Sequence, residues 1–297
     1  MHALLKSLRV RQWTKNLVVF AGLAFSGRAS VGEDVRYAAL TFVAFCLASS
    51  GVYLFNDLVD RERDRMHPAK RDRPLASGTL SPAVATAVGL LLIALGTALA
   101  WNAGQAADAV LAYLVLQALY SGWLKHVVVL DVFAIAAGFT LRVLAGVWAL
   151  DAPLSPWLIA CTMQLALFLA LCKRRAEAAS LEGTGDVTQR PILAEYGGGA
   201  ADVMVSVVAA STLVTYTLYT LLPAAQLGAA PIDPTSQAGA PGMVWTLPFV
   251  FYGVLRYLYL VYRRERGQRP EWIATTDLPM LLTVLGYATV VAWVIYG

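Results

Sequence analysis

Apolar stretches alternate with polar segments along almost the whole chain. They fall at about 16–31, 35–55, 81–101, 106–123, 128–149, 155–172, 200–223, 244–262 and 277–296. Roughly 20 apolar residues cross the hydrocarbon core as a helix, and a helix satisfies its own backbone polar groups in lipid. The pattern therefore predicts an all-α, multi-pass membrane protein of nine transmembrane helices, organised as a single domain over 1–297. Composition agrees: 58% of residues are hydrophobic, 14% are charged and mean hydropathy is +0.61. Soluble domains carry charge on about a quarter of their residues, so that class is excluded, and nothing in the pattern points to nucleic acid. Residues 1–15 are basic and amphipathic and lack a small-residue cleavage site, so no cleaved signal peptide is expected. Cys46, Cys161 and Cys172 sit in or beside apolar runs with no CxxC, which supports neither a disulfide framework nor a thiolate metal site.

Charge alternates between the connecting segments. Lys6, Arg9, Arg11 and Lys15 precede the first span, and the second connection carries Arg61, Arg63, Arg65, Lys70, Arg71 and Arg73. Lys125 lies in the fourth connection, Lys173, Arg174, Arg175 and Arg190 in the sixth, and Arg263, Arg264, Arg266 and Arg269 in the eighth. The opposite side has only Arg28 and Arg36, and the long connector 224–242 has no Lys or Arg. Positive residues stay inside. The expected location is thus the cell (inner) membrane, with a cytoplasmic amino terminus and an external carboxyl terminus.

One connection departs from mere topology. The stretch NDLVDRERDRMHPAKRDRPLASG (56–78) packs acids and bases together directly after a span. Asp57, Asp60 and Asp64 are three and four residues apart, which predicts one face of a helix continuing out of the span. Like charges at that spacing repel unless a cation lies between them. Mg²⁺ prefers hard oxygen ligands and binds through one or two carboxylates plus substrate phosphates. Lys70, Arg71 and Arg73 then offer charge-assisted contacts to phosphate. The plain alternative is a solvated loop whose acids are balanced by Arg61 and Arg65. Ionisable groups clustered at a membrane bundle's mouth favour a site.

NDLVDRERD has the form NDxxDxxxD and resembles the first aspartate motif of the UbiA superfamily of membrane prenyltransferases. That resemblance implies nine transmembrane helices around a cytoplasm-facing active-site cavity. RVRQWTKNLVVFAG near the start, the 56–78 stretch, LKHVVVLDVFAIAAGFTLRVLAG (124–146) and KRRAE (173–177) are similar to one branch, the decaprenyl-phosphate phosphoribosyltransferases. Aromatic prenyltransferases of the superfamily carry a second aspartate-rich motif in the sixth connection. This chain has Lys173, Arg174, Arg175 and Glu177 there, with Asp186 farther on.

The resemblance implies transfer of phosphoribose from phosphoribosyl pyrophosphate (PRPP) to a polyprenyl phosphate, a cell-envelope chemistry, with Mg²⁺ as cofactor. Asn56, Asp57, Asp60 and Asp64 are the expected catalytic and metal-holding residues. Lys15, Lys70, Arg73, Tyr120, Lys125, Arg142, Lys173 and Arg174 are the expected substrate contacts. Several positions keep a second reading. Arg142, inside span 5, either forms an internal salt bridge with Asp131 or meets ligand. Lys125 and Arg256 are alternatively snorkelling charges, and Tyr120 an interfacial aromatic. Gly138, Ala145 and Gly146 suit close helix approach. An aromatic prenyltransferase and, more remotely, a lipid or solute transporter are the competing functions. Homo-oligomerisation is left open.

Overall fold

A computed structural model describes residues 2–67, 70–182, 191–222, 241–263, 273 and 276–297. Asp186, Arg190, Arg264, Arg266, Arg269 and most of the 224–242 connector lie outside them. The described elements are helical: α1 (His2–Ser7), a 3-10 helix (Val10–Phe20), α2 (Ala21–Phe25), α3 (Gly32–Val59), α4 (Arg61–Met66), α5 (Pro82–Trp101) and α6 (Ala106–Gly122). After a short 3-10 turn (Leu124–His126) follow α7 (Leu130–Ala149), α8 (Pro156–Glu182), α9 (Pro191–Ala194) and α10 (Ala200–Leu221). A 3-10 turn (Pro241–Thr246), α11 (Leu247–Arg263) and α12 (Leu278–Tyr296) complete the order. Two compact units result, one of residues 1–122 and 138–154, the other of 123–137 and 155–297.

Seven of the described helices are long and apolar enough to cross a membrane, and α6 is a shorter apolar helix. Large apolar side chains stay exposed along them, including Leu90 and Leu91 of α5 and Val203 and Val207 of α10. In water such surfaces would be a liability; in lipid they are the expected outer face. Local signals set several helix starts. Ser81 Oγ accepts the Val84 N–H (3.3 Å) ahead of Pro82, and Asp277 Oδ1 accepts the Met280 N–H (3.1 Å). Asp277 also takes two hydrogen bonds from Arg256, at 3.1 and 2.9 Å, so Arg256 is ion-paired rather than simply snorkelling.

The expected first span, 16–31, is not a regular α-helix. Its amino-terminal part belongs to the 3-10 helix, followed by the short α2. The cause is tertiary. This segment lies so close to α7 that a Cβ on Gly146 would overlap the Val19 carbonyl. Elsewhere in the same unit, Gly96 of α5 lets the Ala44 carbonyl of α3 approach, the small-residue packing usual between membrane helices. We expect Gly146→Ala to cost about 1–3 kcal/mol by overpacking. Thermal unfolding of the purified variant in detergent measures it.

Candidate active site

In the first unit the charged stretch folds back on the end of α3. Leu75 and Leu80 are buried with Leu54 and Ala85, so two apolar anchors pin an otherwise polar loop. Arg61 Nε donates to the Leu75 carbonyl (3.2 Å) and Arg65 Nε to the Ala76 carbonyl (3.0 Å). This fold-back brings Arg73 to the acids: its Nη1 donates to Asp64 Oδ2 at 2.7 Å and to Asp57 Oδ1 at 3.2 Å. Arg9 reaches the same Asp57 oxygen from the amino-terminal segment. Asp57 and Asp64 are both buried. Two carboxylates and two guanidiniums therefore share one small volume.

The expected single helical face is corrected in one respect. α3 ends at Val59 and α4 begins at Arg61, with Asp60 between them at φ −85° and ψ 3°. Helical hydrogen bonds still cross this point, from the Asp60 N–H to the Asn56 carbonyl (2.9 Å) and from the Asp64 N–H to the Asp60 carbonyl (2.8 Å). Asp57 and Asp64 still converge, but no group of three or more His, Cys, Asp or Glu poised to hold a metal is found among the described residues. Asp60 does not complete a three-acid set. Asn56 accepts a hydrogen bond from Ser121 Oγ (2.6 Å), which ties α3 to the end of α6.

The donor set nonetheless fits Mg²⁺ delivered with a substrate. Such an ion is typically held by one or two carboxylates with phosphate oxygens and water completing its octahedron. Asp57 and Asp64 already accept from a common cation, the Arg73 guanidinium, and so face a position suited to positive charge.

The other expected contacts distribute unevenly. Lys15, Lys70 and Tyr120 are half-buried in the first unit. Arg142 is buried there, and the salt bridge with Asp131, one of its two readings, is not formed. Its Nε donates to Asn16 Oδ1 (2.7 Å), Nη1 to the Gly138 carbonyl (2.7 Å) and Nη2 to the Tyr113 hydroxyl (3.2 Å). Its charge also rests on the Tyr113 ring, 4.6 Å from the centroid. Carbonyl, amide and aromatic groups thus replace a carboxylate, and Arg142 pins the 3-10 helix through Asn16.

In the second unit Asp131 finds a different partner. Arg174 Nε donates to Asp131 Oδ2 and Nη1 to Glu177 Oε2, both at 2.6 Å, and Arg174 is buried. The Tyr196 hydroxyl donates to Asp131 Oδ1 (2.5 Å) and accepts the Val129 N–H (3.0 Å). Burial, then the bond to Asp131, pushes the Tyr196 phenol well above its usual range. Val129 has a φ of 71°, costly for a β-branched residue, and this tether holds it there. Arg175 pairs with Asp202 (3.0 Å) and covers Tyr262. Of the KRR triplet, Lys173 is the more open member: its side chain is 40% exposed and lies 3.9 Å from Glu177. Lys125 is half-buried in the 3-10 turn before α7.

Arg9, Asp131 and Tyr196 are the participants that sequence reasoning did not assign to a site. Arg9 opens the RVRQWTKNLVVFAG stretch and Asp131 lies in 124–146, both part of the resemblance, but neither carried a role beyond a basic terminus and a suggested partner for Arg142.

Apolar helices bearing an acid–guanidinium cluster at the end of one of them define an integral membrane protein with a polar site. The chain belongs to the UbiA prenyltransferase family, whose sequence model matches residues 17–278. It is similar to the decaprenyl-phosphate phosphoribosyltransferase of Mycolicibacterium smegmatis, 33% identical over 302 residues and covering 99% of this chain and 92% of that one. The enzyme of the same name from Corynebacterium glutamicum is 31% identical, with 99% and 86% covered. Among solved structures, a UbiA homologue from Archaeoglobus fulgidus bound to GPP and Mg²⁺ shares the fold, with a TM-score of 0.72 at 19% identity, covering 99% of this chain and all of that one.

Proposed function

We propose that the chain transfers phosphoribose from PRPP to a polyprenyl phosphate such as decaprenyl phosphate, releasing pyrophosphate. The similarity to the two phosphoribosyltransferases along nearly the full chain supports the substrates. The observation that carries the chemistry is the convergence of Asp57, Asp64, Arg9 and Arg73. Mg²⁺, when bound there, neutralises the diphosphate and stabilises the charge on the departing pyrophosphate. Asp57 and Asp64, helped by Asn56, hold the cation; Asp60 belongs to the same turn. Lys15, Lys70 and Arg73 orient donor and acceptor phosphates. Tyr120, Lys125 and Lys173 are assigned supporting contacts, while Arg142 and Arg174 act through the residues they hold. The C1–oxygen bond to pyrophosphate breaks as an acceptor phosphate oxygen bonds to C1. The acceptor is already anionic, so no general base is required.

The charged loop is assigned to the cytoplasmic side by its Lys and Arg content. The nine-crossing reading is kept by letting residues 10–25 cross as the 3-10 helix and α2. At about 2.0 Å per residue for the first and 1.5 Å for the second, they advance roughly 30 Å. Reporters fused after Ser77 and Gly183 are expected to read as cytoplasmic, and one near Gly239 as external. An external reading at Ser77 reverses the assignment.

Purified protein in detergent is to be given labelled PRPP with decaprenyl phosphate, and separately geranyl diphosphate with 4-hydroxybenzoate. Product in the first mixture alone supports the proposal. Product in the second alone replaces it with an aromatic prenyltransferase.

A further inference from the structure

We propose that Arg9 is a diphosphate ligand held in reserve: its guanidinium neutralises Asp57 in the resting protein and passes to the substrate diphosphate when a divalent cation takes the carboxylate. The inference rests on the diphosphate-binding reading above and adds to it a residue and an order of events.

The first support is backbone geometry. Arg9 stands at φ 52° and ψ 47°, a left-handed conformation that a non-glycine residue adopts only at a cost. The chain is fastened on either side of it, at Leu8 directly before and at Trp13 four residues after. Ser50 Oγ donates to the Leu8 carbonyl and accepts from Trp13 Nε1, each at 3.0 Å. The strained residue is thereby fixed as a pivot, and what remains adjustable is the side chain. That side chain is 30% exposed, against 5% for Asp57, and lies over the Tyr53 ring with its charge 5.0 Å from the centroid. The ring offers a favourable surface along which the guanidinium can shift.

The second support is the charge count. Asp57 and Asp64 face Arg9 and Arg73, so the four groups cancel. A bare divalent cation entering here meets two guanidiniums already on the carboxylates. A bare diphosphate meets two buried carboxylates. Only the metal diphosphate satisfies all four, its cation on the acids and its oxygens on the arginines. Two arginines are needed for this exchange, because Arg73 alone is shared between both acids. The cluster then admits metal and diphosphate together and discriminates against either alone.

The test uses the intact chain in detergent and reads binding rather than turnover. Mn²⁺, as a spectroscopic stand-in for Mg²⁺, is titrated alone by electron paramagnetic resonance. Mg²⁺·pyrophosphate is titrated by calorimetry. Arg9→Gln is expected to bind Mn²⁺ alone at least about threefold more tightly, since a competing charge is gone. The same variant should bind Mg²⁺·pyrophosphate about tenfold or more weakly, the worth of one charge-assisted hydrogen bond. Shifts of opposite sign are the signature, because a residue that merely supports the fold would weaken both. Parallel losses, or unchanged pyrophosphate binding, overturn the inference. If Arg9→Gln does not fold, Arg9→Lys keeps the charge without the fork. It should leave Mn²⁺ binding unchanged and weaken Mg²⁺·pyrophosphate, and no weakening overturns the inference. Pyrophosphate binding lost in Asp57→Asn yet intact in both Arg9 variants rejects the role of Arg9 alone. A wild-type protein that binds no Mg²⁺·pyrophosphate rejects the diphosphate site as well.

Discussion

Asp57→Asn and Asp64→Asn are each expected to lower turnover by at least about 10²–10³-fold, the usual cost of removing one electrostatic element aimed at developing charge. The geometry gives a reason beyond the loss of a ligand. Asp57 accepts from both Arg9 and Arg73, so its amide leaves two guanidiniums at a neutral group and raises the barrier to a divalent cation. Among the described residues Asp64 accepts a side-chain bond from Arg73 and from no second guanidinium, so its variant should retain more metal affinity than the Asp57 variant. Asp60→Asn is expected to be the mildest of the three, because the chain turns at Asp60 between α3 and α4. Steady-state turnover with Mg²⁺ varied from zero to saturation checks all three, and EDTA should inhibit reversibly. Equal losses in all three variants would sink the distinction drawn from the loop, and full activity in excess EDTA would sink the metal role.

The second large effect is on stability, in the other unit. Asp131→Asn should destabilise the folded protein by about 3–5 kcal/mol, the range for breaking one side of a buried ion pair. Arg174 would lose the buried carboxylate at its Nε, and the Tyr196 hydroxyl, which in turn accepts from the strained Val129, would lose its charged acceptor. Lys173→Ala, one residue from Arg174, should change stability by less than about 0.5 kcal/mol, because its side chain is open. The double variant Asp131→Asn with Arg174→Gln should recover much of the loss, since no uncompensated charge then remains buried. Unfolding monitored by tryptophan fluorescence in detergent gives the comparison. A stable Asp131→Asn protein with a raised KM for phosphate-bearing substrates would instead return Arg174 to the ligand contacts.

The sequence by itself determined the helical membrane class, the place of the charged cluster along the chain and the family. Each of these depends on contiguous residues. Bilayer thickness dictates how long an apolar run must be, and the acids of NDxxDxxxD are separated by less than two helical turns. Both are local quantities, so they can be read without knowing what lies opposite. The 3-10 course of residues 10–20 could not be read this way. Its apolar run looks like any other span, and its path follows from tertiary contacts: the closeness of Gly146 to Val19, the hold of Arg142 on Asn16, and the bonds of Trp13 and Asn16 to Ser50, Cys46 and Ser49 of α3.

Pairing of charges belonged wholly to the tertiary structure. Arg142 and Asp131 lie on one helix eleven residues apart in sequence, which invited a bridge between them. At 3.6 residues per turn that separation places them about three turns apart along the axis, roughly 16 Å, too far for a salt bridge. Arg142 is satisfied instead by Asn16, Gly138 and Tyr113, and Asp131 by Arg174 and Tyr196. Arg9 shows the same division most plainly. The resembling stretch that Arg9 opens does not say which of its basic residues meets an acid, and Arg9 becomes a member of the cluster because α3 returns Asp57 to its side, 48 positions later in the chain.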